Sequence, residues 1–385
     1  MTAPLEKISA NQSHSKPGWF FLLIILAGLA ARLGMASLGH NYDVDSYRIV
    51  VGILDQGGNV YAGTERYNYG PVWFQILHGL DFLAGHNETA FRYLVAAFLS
   101  LADVGICLFL WRKFGQAAAC LFFLNPISII ITGFHSQFDN LAILIGLLAV
   151  GLMGEDLERP LNRRKFLALI ILGLSIATKH ILFAFPLWLA VKQKGTWQKM
   201  VVLLVPTLVF LLSFAPYWQA GQQGIIHNVF LYRSQTNNYF HSMFVPLGLQ
   251  KILTGNYFWF FCLALFALVY RRKTAVESLL AYTCVLVATS PAIVGQYLAI
   301  PIAFVAVRWG ALTALYTIFG TWELLVHHNG IDLFGVLPWM SPNVPIYILA
   351  CALIWTTWQS PITAAGRFLY GWCLVEMKNQ FGIKG

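Results

Sequence analysis

Apolar residues run along this chain in long unbroken blocks, not in the alternation that marks the half-buried elements of a water-soluble fold. The first block covers residues 18–38; as a helix it would be ~31 Å long, enough to cross the hydrocarbon of a bilayer. Further blocks cover 92–111, 116–134, 141–153, 166–191, 200–217, 256–270, 277–307, 311–326 and 344–358, with a shorter one at 71–85. The pattern predicts an all-α, polytopic transmembrane bundle of about ten to twelve helices. No long polar stretch divides the blocks. Residues 18–360 therefore read as one membrane domain, between a tail at 1–17 and a second at 361–385, both expected in the cytoplasm.

The polar interruptions place the loops. Residues 39–70 and 218–243 are the two long ones, both expected on the outer face, with a third at 327–343. Within the first, Tyr47, Ile49, Val50, Ile53 and Leu54 recur at helical spacing, which suits an amphipathic helix lying on the membrane interface. Block 166–191 is interrupted by Thr178-Lys179-His180, and 277–307 by Ser290-Pro291 and Gln296. Each arm of the first is only about a dozen residues, ~18 Å, so both blocks read as broken helices lining a wet cavity. One parity conflict stands: 71–111 looks like two segments, yet must cross an odd number of times if the first loop is outside and Arg112-Lys113 inside.

Composition agrees with lipid as the main solvent. The chain has 385 residues, 58% hydrophobic and 11% charged, against about 25% charged in soluble domains. The net charge of +9 does not point to nucleic acid. The basic residues fall in short clusters between apolar blocks (Arg112-Lys113, Arg163-Arg164-Lys165, Lys192 with Lys194, Arg271-Arg272-Lys273), the pattern of cytoplasmic loops. The six cysteines lie in or beside apolar blocks without a Cys-x-x-Cys pair, and read as small buried hydrophobes. No HExxH, Walker A, GxSxG or dinucleotide-binding fingerprint is present, and no internal repeat of the kind common in transporters.

Chemistry concentrates at a few positions. Asp43 and Asp45 sit just past the outer end of the first block, where a carboxylate can take a proton from an attacking hydroxyl. The alternative is that both are solvated, or that Asp43 caps the interfacial helix. Arg66 and Tyr69 close the same loop. His135, Gln137, Asp139 and Asn140 crowd between two apolar blocks, more polar groups than a bare turn needs. Lys179-His180 is an ionisable pair at membrane depth, costly unless it serves a phosphate or snorkels to an interface. Arg233 offers a further cation on the second outer loop. Asp103 and Glu323 read as structural hydrogen-bonding groups inside the bundle.

The order of these motifs resembles the GT-C fold glycosyltransferases. The residues that carry the resemblance are Asn41-Tyr42-Asp43-Val44-Asp45-Ser46-Tyr47, Tyr67-Asn68-Tyr69-Gly70-Pro71, Leu101-Ala102-Asp103, Asn125-Pro126, His135-Ser136-Gln137-Phe138-Asp139-Asn140 and Lys179-His180. They are similar to the dolichyl-phosphate-glucose-dependent glucosyltransferases of N-glycan assembly and to bacterial polyprenyl-phosphate-sugar-dependent mannosyltransferases. The resemblance implies transfer of a hexose, mannose or glucose, with inversion, from a polyprenyl-phosphate donor to a hydroxyl of a lipid, glycan or protein acceptor. It implies Asp43 as general base with Asp45 second, and Lys179, His180, Arg233 and Arg66 as cations for the leaving phosphate. Most of the class works without a metal, so no cofactor is expected, although two acids at 43 and 45 leave a divalent ion open. The glucosyltransferases carry an aromatic and an Asn where this chain has Phe138-Asp139-Asn140, so sugar or acceptor is expected to differ. The short chain suggests a bacterial inner-membrane form with its site on the periplasmic face. The rival reading is a transporter or lipid flippase using the same polar cavity; an acyl- or phosphotransferase is weaker still.

Overall fold

The computed structural model describes residues 18–154, 161–232, 256–326 and 343–359, and every regular element among them is helical. The order begins α1 (Trp19–Ser37), α2 (Tyr42–Asp55), a single turn α3 (Val60–Gly63), α4 (Pro71–Leu83) and α5 (Glu88–Phe114). Next, α6 (Gln116–Phe123) and α7 (Pro126–Ile130) lead through a π-turn, Ile131–His135, into α8 (Asp139–Met153). Then come α9 (Arg163–Thr178), α10 (Phe185–Ala190), α11 (Thr196–Ser213) and α12 (Trp218–Gly224). The remainder is α13 (Asn256–Val269), α14 (Ala275–Ala288), α15 (Ile302–Val307), α16 (Ala311–Val326) and α17, residues 343–359.

Among the described residues, α1, α5 and the continuous run Thr196–Phe230 are long and apolar enough to cross a membrane. A fourth span arises if α6 and the run Pro126–His135 count together, bent by 47° where Asn125 caps α7 and Pro126 takes its first turn. The remaining apolar helices are shorter and survive by packing on protein: every residue of α14 except Glu277 is buried. Both expected breaks are present. α9 stops at Thr178 and a short 3-10 turn, His180–Leu182, precedes α10; after α14 the chain is irregular before the 3-10 turn Gly295–Ala299 and α15.

The first loop folds as a small layer with its own core. Val44, Tyr47, Val50 and Val51 of α2 pack with Trp73, Phe74 and Leu77 of α4, Phe91 and Val95 of α5, and Phe138. The Trp73 and Phe138 rings stack at 4.3 Å. The amphipathic helix expected here is thus present, but its apolar stripe meets α4 and not lipid, and Ile49 of the expected stripe is exposed. The layer also resolves the parity conflict. α4 has 13 residues, ~20 Å, too short to span, so α5 alone crosses and puts the first loop and Arg112-Lys113 at opposite ends of the bundle. Residues 218–230 of the second expected outer loop are helical, and their first part rests on this layer: Gly221 and Gly224 lie against Asn59 and Tyr61, and the preceding Tyr217 accepts from Asn59 Nδ2 at its carbonyl (2.9 Å) and from Gln75 Nε2 at its hydroxyl (2.8 Å).

Candidate active site

The site grows from the start of α2. Asn41 caps this helix by accepting from the Asp43 backbone N–H at 3.0 Å, so the capping role open to Asp43 belongs to Asn41. Asp43 is therefore free to turn its side chain inward from the first turn. Its Oδ2 accepts from Asn41 Nδ2 at 3.2 Å and from Gln137 Nε2 at 2.5 Å, which leaves Oδ1 outside these hydrogen bonds. Asn41 Nδ2 also donates to His135 Nδ1 at 2.9 Å. Burial pushes the Asp43 carboxyl above its ordinary value, with Lys179 and the Asn41 hydrogen bond pulling the other way.

Gln137 and Asp139 are presented by a distorted segment between two helices. The π-turn ends in Ser136, whose φ of +51° is rare for a residue with a Cβ and reverses the chain into α8. The turn sits against α1 backbone to backbone: a Cβ on Gly133 would lie 2.4 Å from the Arg32 carbonyl oxygen. Phe134 to Asp139 are all buried, so this is no exposed hairpin tip; α2 and the loop before α4 cover it.

The third wall is the end of α9. Lys179 takes an extended backbone (φ −147°, ψ 124°) that ends the helix and swings its side chain into the site. Its Nζ donates to Asp139 Oδ2 at 2.7 Å and to Gln137 Oε1 at 3.1 Å, and lies over the rings of Phe138 (4.6 Å) and Tyr69 (5.2 Å). Asp43, Gln137, Lys179 and Asp139 thus form one continuous chain of hydrogen bonds across three separate segments. Tyr69 is held by close packing: a Cβ on Gly70 would fall 1.9 Å from the Ala177 carbonyl oxygen, so only glycine lets this loop lie on α9. Burial and the two carboxylates raise the Tyr69 phenol well above its ordinary value.

Beneath the chain lies a fully buried ion pair. Arg32 Nε donates to Asp103 Oδ2 at 2.9 Å, and its other nitrogens reach the carbonyls of Gly28 and Phe123 and the Ser128 hydroxyl. Asp103 also accepts from Thr132 Oγ1 at 2.7 Å and Asn140 Nδ2 at 2.9 Å. α1, α5, the π-turn and α8 are thereby tied together directly under Gln137 and Asp139. A cavity of about 20 Å³ between the two networks is lined by Asp103, Thr132, Gln137, Asp139, Asn140 and, from the broken segment after α14, Ala299.

The structure brings Asp43, Tyr69, His135, Gln137, Asp139 and Lys179 together, and places Asn140 in the layer below. His180 borders the group, its ring 6.4 Å from that of Tyr69 and its Nδ1 buried without a hydrogen-bond partner among the described residues. Arg66 lies at the rim, stacked 3.7 Å from the centre of the Tyr42 ring. Gln296 sits on the Gly295–Ala299 turn, half-buried, with no hydrogen bond to this group. Asp45 is exposed and accepts from His40 Nε2 at 3.0 Å, apart from the network; residues two apart on a helix do not share a face, so Asp43 and Asp45 do not form a joint ligand pair for a metal. Arg233 lies outside the described residues. The sequence places Asn41 in the motif around Asp43 without giving it a role, and it does not point to Arg32 or Tyr297; the last is close enough to Asp139 and Asp43 to feel both charges.

No protein-family model matches the chain, and no curated protein does. Two crystal structures of ArnT from Cupriavidus metallidurans do. The one bound to undecaprenyl phosphate matches with a TM-score of 0.51 at 14% identity, over 91% of this chain and 80% of that one. The apo structure matches with a TM-score of 0.53 at 15% identity, over 88% of this chain and 69% of that one. The likeness shows the fold: this is a multi-pass membrane helix bundle of the GT-C type.

Proposed function

We propose that this protein is a membrane glycosyltransferase that moves a hexose, mannose or glucose, from a polyprenyl-phosphate donor to an acceptor hydroxyl with inversion at the sugar. The observation that carries the reading is the half-buried Asp43, joined through Gln137 to the buried Lys179–Asp139 pair in a bundle of GT-C type. In the reaction, Asp43 Oδ1 takes the proton of the acceptor hydroxyl. The oxygen attacks the anomeric carbon, the bond from that carbon to the phosphate oxygen breaks, and the polyprenyl phosphate departs with the electron pair. A carboxylate raised by burial is a stronger base than one in water, which suits this step.

Lys179 supplies positive charge to the departing phosphate, with His180 beside it and Arg66 at the rim. Gln137 has two roles: its amide N–H fixes Asp43, and its carbonyl fixes Lys179, so base and cation keep a set spacing. No step needs a metal or cofactor. The acceptor, whether lipid, glycan or protein, approaches from the side of the first loop, on the face expected to be periplasmic. Likeness to a structure bound to undecaprenyl phosphate supports a polyprenyl carrier.

The test is incubation of the purified protein with polyprenyl-phosphate mannose or glucose and a panel of hydroxylated acceptors, read by mass spectrometry. A glycosylated product with inverted anomeric configuration supports the reading. Movement of intact donor across proteoliposomes with no covalent product would replace it with the flippase.

A further inference from the structure

The geometry points to a second, separate site: a binding site for a divalent transition-metal ion of the zinc class, formed by Asp55, Asp81, His86 and His78. These residues come from the C-terminal end of α2 (Asp55), from one face of α4 (His78 and Asp81, three apart) and from the turn after it (His86). Ligand atoms of Asp55, Asp81 and His86 all lie within 4.8 Å of one another. His86 Nδ1 stands 2.6 Å from Asp81 Oδ2 and 3.6 Å from Asp55 Oδ2, so one imidazole nitrogen faces two carboxylates at once. His78 Nε2 adds a second imidazole 3.2 Å from Asp55 Oδ1.

Two imidazoles with two carboxylates match the nitrogen and oxygen ligands of zinc, at metal–ligand distances of about 2.0–2.2 Å. Two ligand atoms on one tetrahedral ion stand about 3.4 Å apart, so the 3.6 Å and 3.2 Å separations already suit it, and the 2.6 Å Asp81–His86 contact would have to open to admit the ion. The surroundings favour this. Asp81 is fully buried and its Oδ1 is held by Arg48 Nη1, an outer contact that orients a ligating carboxylate while leaving Oδ2 toward His86. His86 adopts φ +59°, which turns the chain after α4, and its ring reaches back to Asp81 on that helix. Asp55, His78 and His86 are part-exposed, which gives an ion a route in.

The site is not the catalytic one. Asp55 lies twelve residues beyond Asp43 along α2, ~18 Å by helical rise. A bound ion would pin the far ends of α2 and α4 together and so fix the tilt of the helix that carries Asp43. The inference stands whether or not the protein transfers sugar.

The test uses the purified full chain, stripped with a chelator and titrated with ZnCl2 or MgCl2. Bound metal is read by atomic absorption after desalting, and melting temperature is followed in parallel. The account expects stoichiometric zinc and a zinc-dependent rise in melting temperature, with no comparable effect of magnesium. His78→Ala/His86→Ala should retain the parent elution profile and circular dichroism, because both side chains are partly exposed, yet lose both zinc responses. Asp55→Asn, a milder change, should weaken zinc binding. Parent protein that retains no zinc shows a charge network only and overturns the site. So does a double variant that binds as the parent does, or magnesium acting as well as zinc.

Discussion

Arg32→Met should destabilise the bundle by about 3 kcal/mol, near the low end of the 3–5 kcal/mol expected when one partner of a buried ion pair is removed. Arg32 and Asp103 are both buried, and their contact is 2.9 Å. Methionine matches the arginine stem in length but leaves the Asp103 carboxylate without its countercharge. The loss stays near the low end because Thr132 and Asn140 continue to donate to Asp103. Asp103→Leu should cost a similar amount by stranding the guanidinium. The double variant, with neither charge, should lose clearly less than the two single losses combined. Unfolding in mixed detergent micelles, followed by circular dichroism, measures all three. Single variants within about 0.5 kcal/mol of the parent would refute the reasoning, as would a double loss equal to the sum. Activity should follow stability here, since Asp103 seats Thr132 of the π-turn and Asn140 of α8, which together present Gln137 and Asp139.

Other outcomes follow from the same geometry. Lys179→Met should lower the turnover number by about 10²-fold or more, the usual cost of removing one charge-stabilising donor; it should also destabilise the bundle by about 3 kcal/mol, because it strands the buried Asp139 carboxylate, so turnover is compared on protein that still elutes as the parent. Because the Lys179 charge lowers the Asp43 carboxyl and burial raises it, transfer by the parent should fail on acidification at a higher pH than an ordinary carboxylate would impose. Any residual activity of Lys179→Met should fail at a higher pH still, as measured by pH–rate profiles. Gly70→Ala should drive the loop off α9 and sharply reduce transfer, because the new methyl would meet the Ala177 carbonyl; steady-state assays on protein that still elutes as the parent would show it. On sidedness, Glu65→Cys should react with an impermeant maleimide in intact cells, and Lys113→Cys only after permeabilisation; both side chains are exposed, Glu65 in the first loop and Lys113 at the far end of α5.

Much of the site was legible because polar groups in apolar blocks are conspicuous. Gln137, Asp139 and Lys179 stood out where a bare turn or a clean span would have no use for them. Asp43 and Asp45 both stood out by their place after α1, and only the family resemblance put Asp45 second; the helical phase of α2 separates them physically, turning one inward and the other to solvent. Arg32 gave a signal that went unread, a lone cation in the middle of a block that otherwise looks like an unremarkable span. Its partner Asp103 lies 71 residues away, and no local pattern encodes that pairing. The amphipathic stripe of α2 was visible as a period but not as a partner: apolar residues face lipid and protein with the same chemistry, so sequence could not show that α4 covers it. The crossing count was obscured in the same way, since helices too short to span look like spans when they are wholly apolar.

The base assignment of Asp43 is tested most directly by comparing product yield, by mass spectrometry, for parent, Asp43→Asn and Asp45→Asn proteins of equal fold and membrane yield. Asparagine keeps the shape and hydrogen-bonding reach of position 43 but cannot take the acceptor proton. The account predicts a loss of about 10²–10⁴-fold for Asp43→Asn, the usual worth of a positioned base, against a small change for the exposed Asp45→Asn. Near-parent product from Asp43→Asn would contradict it.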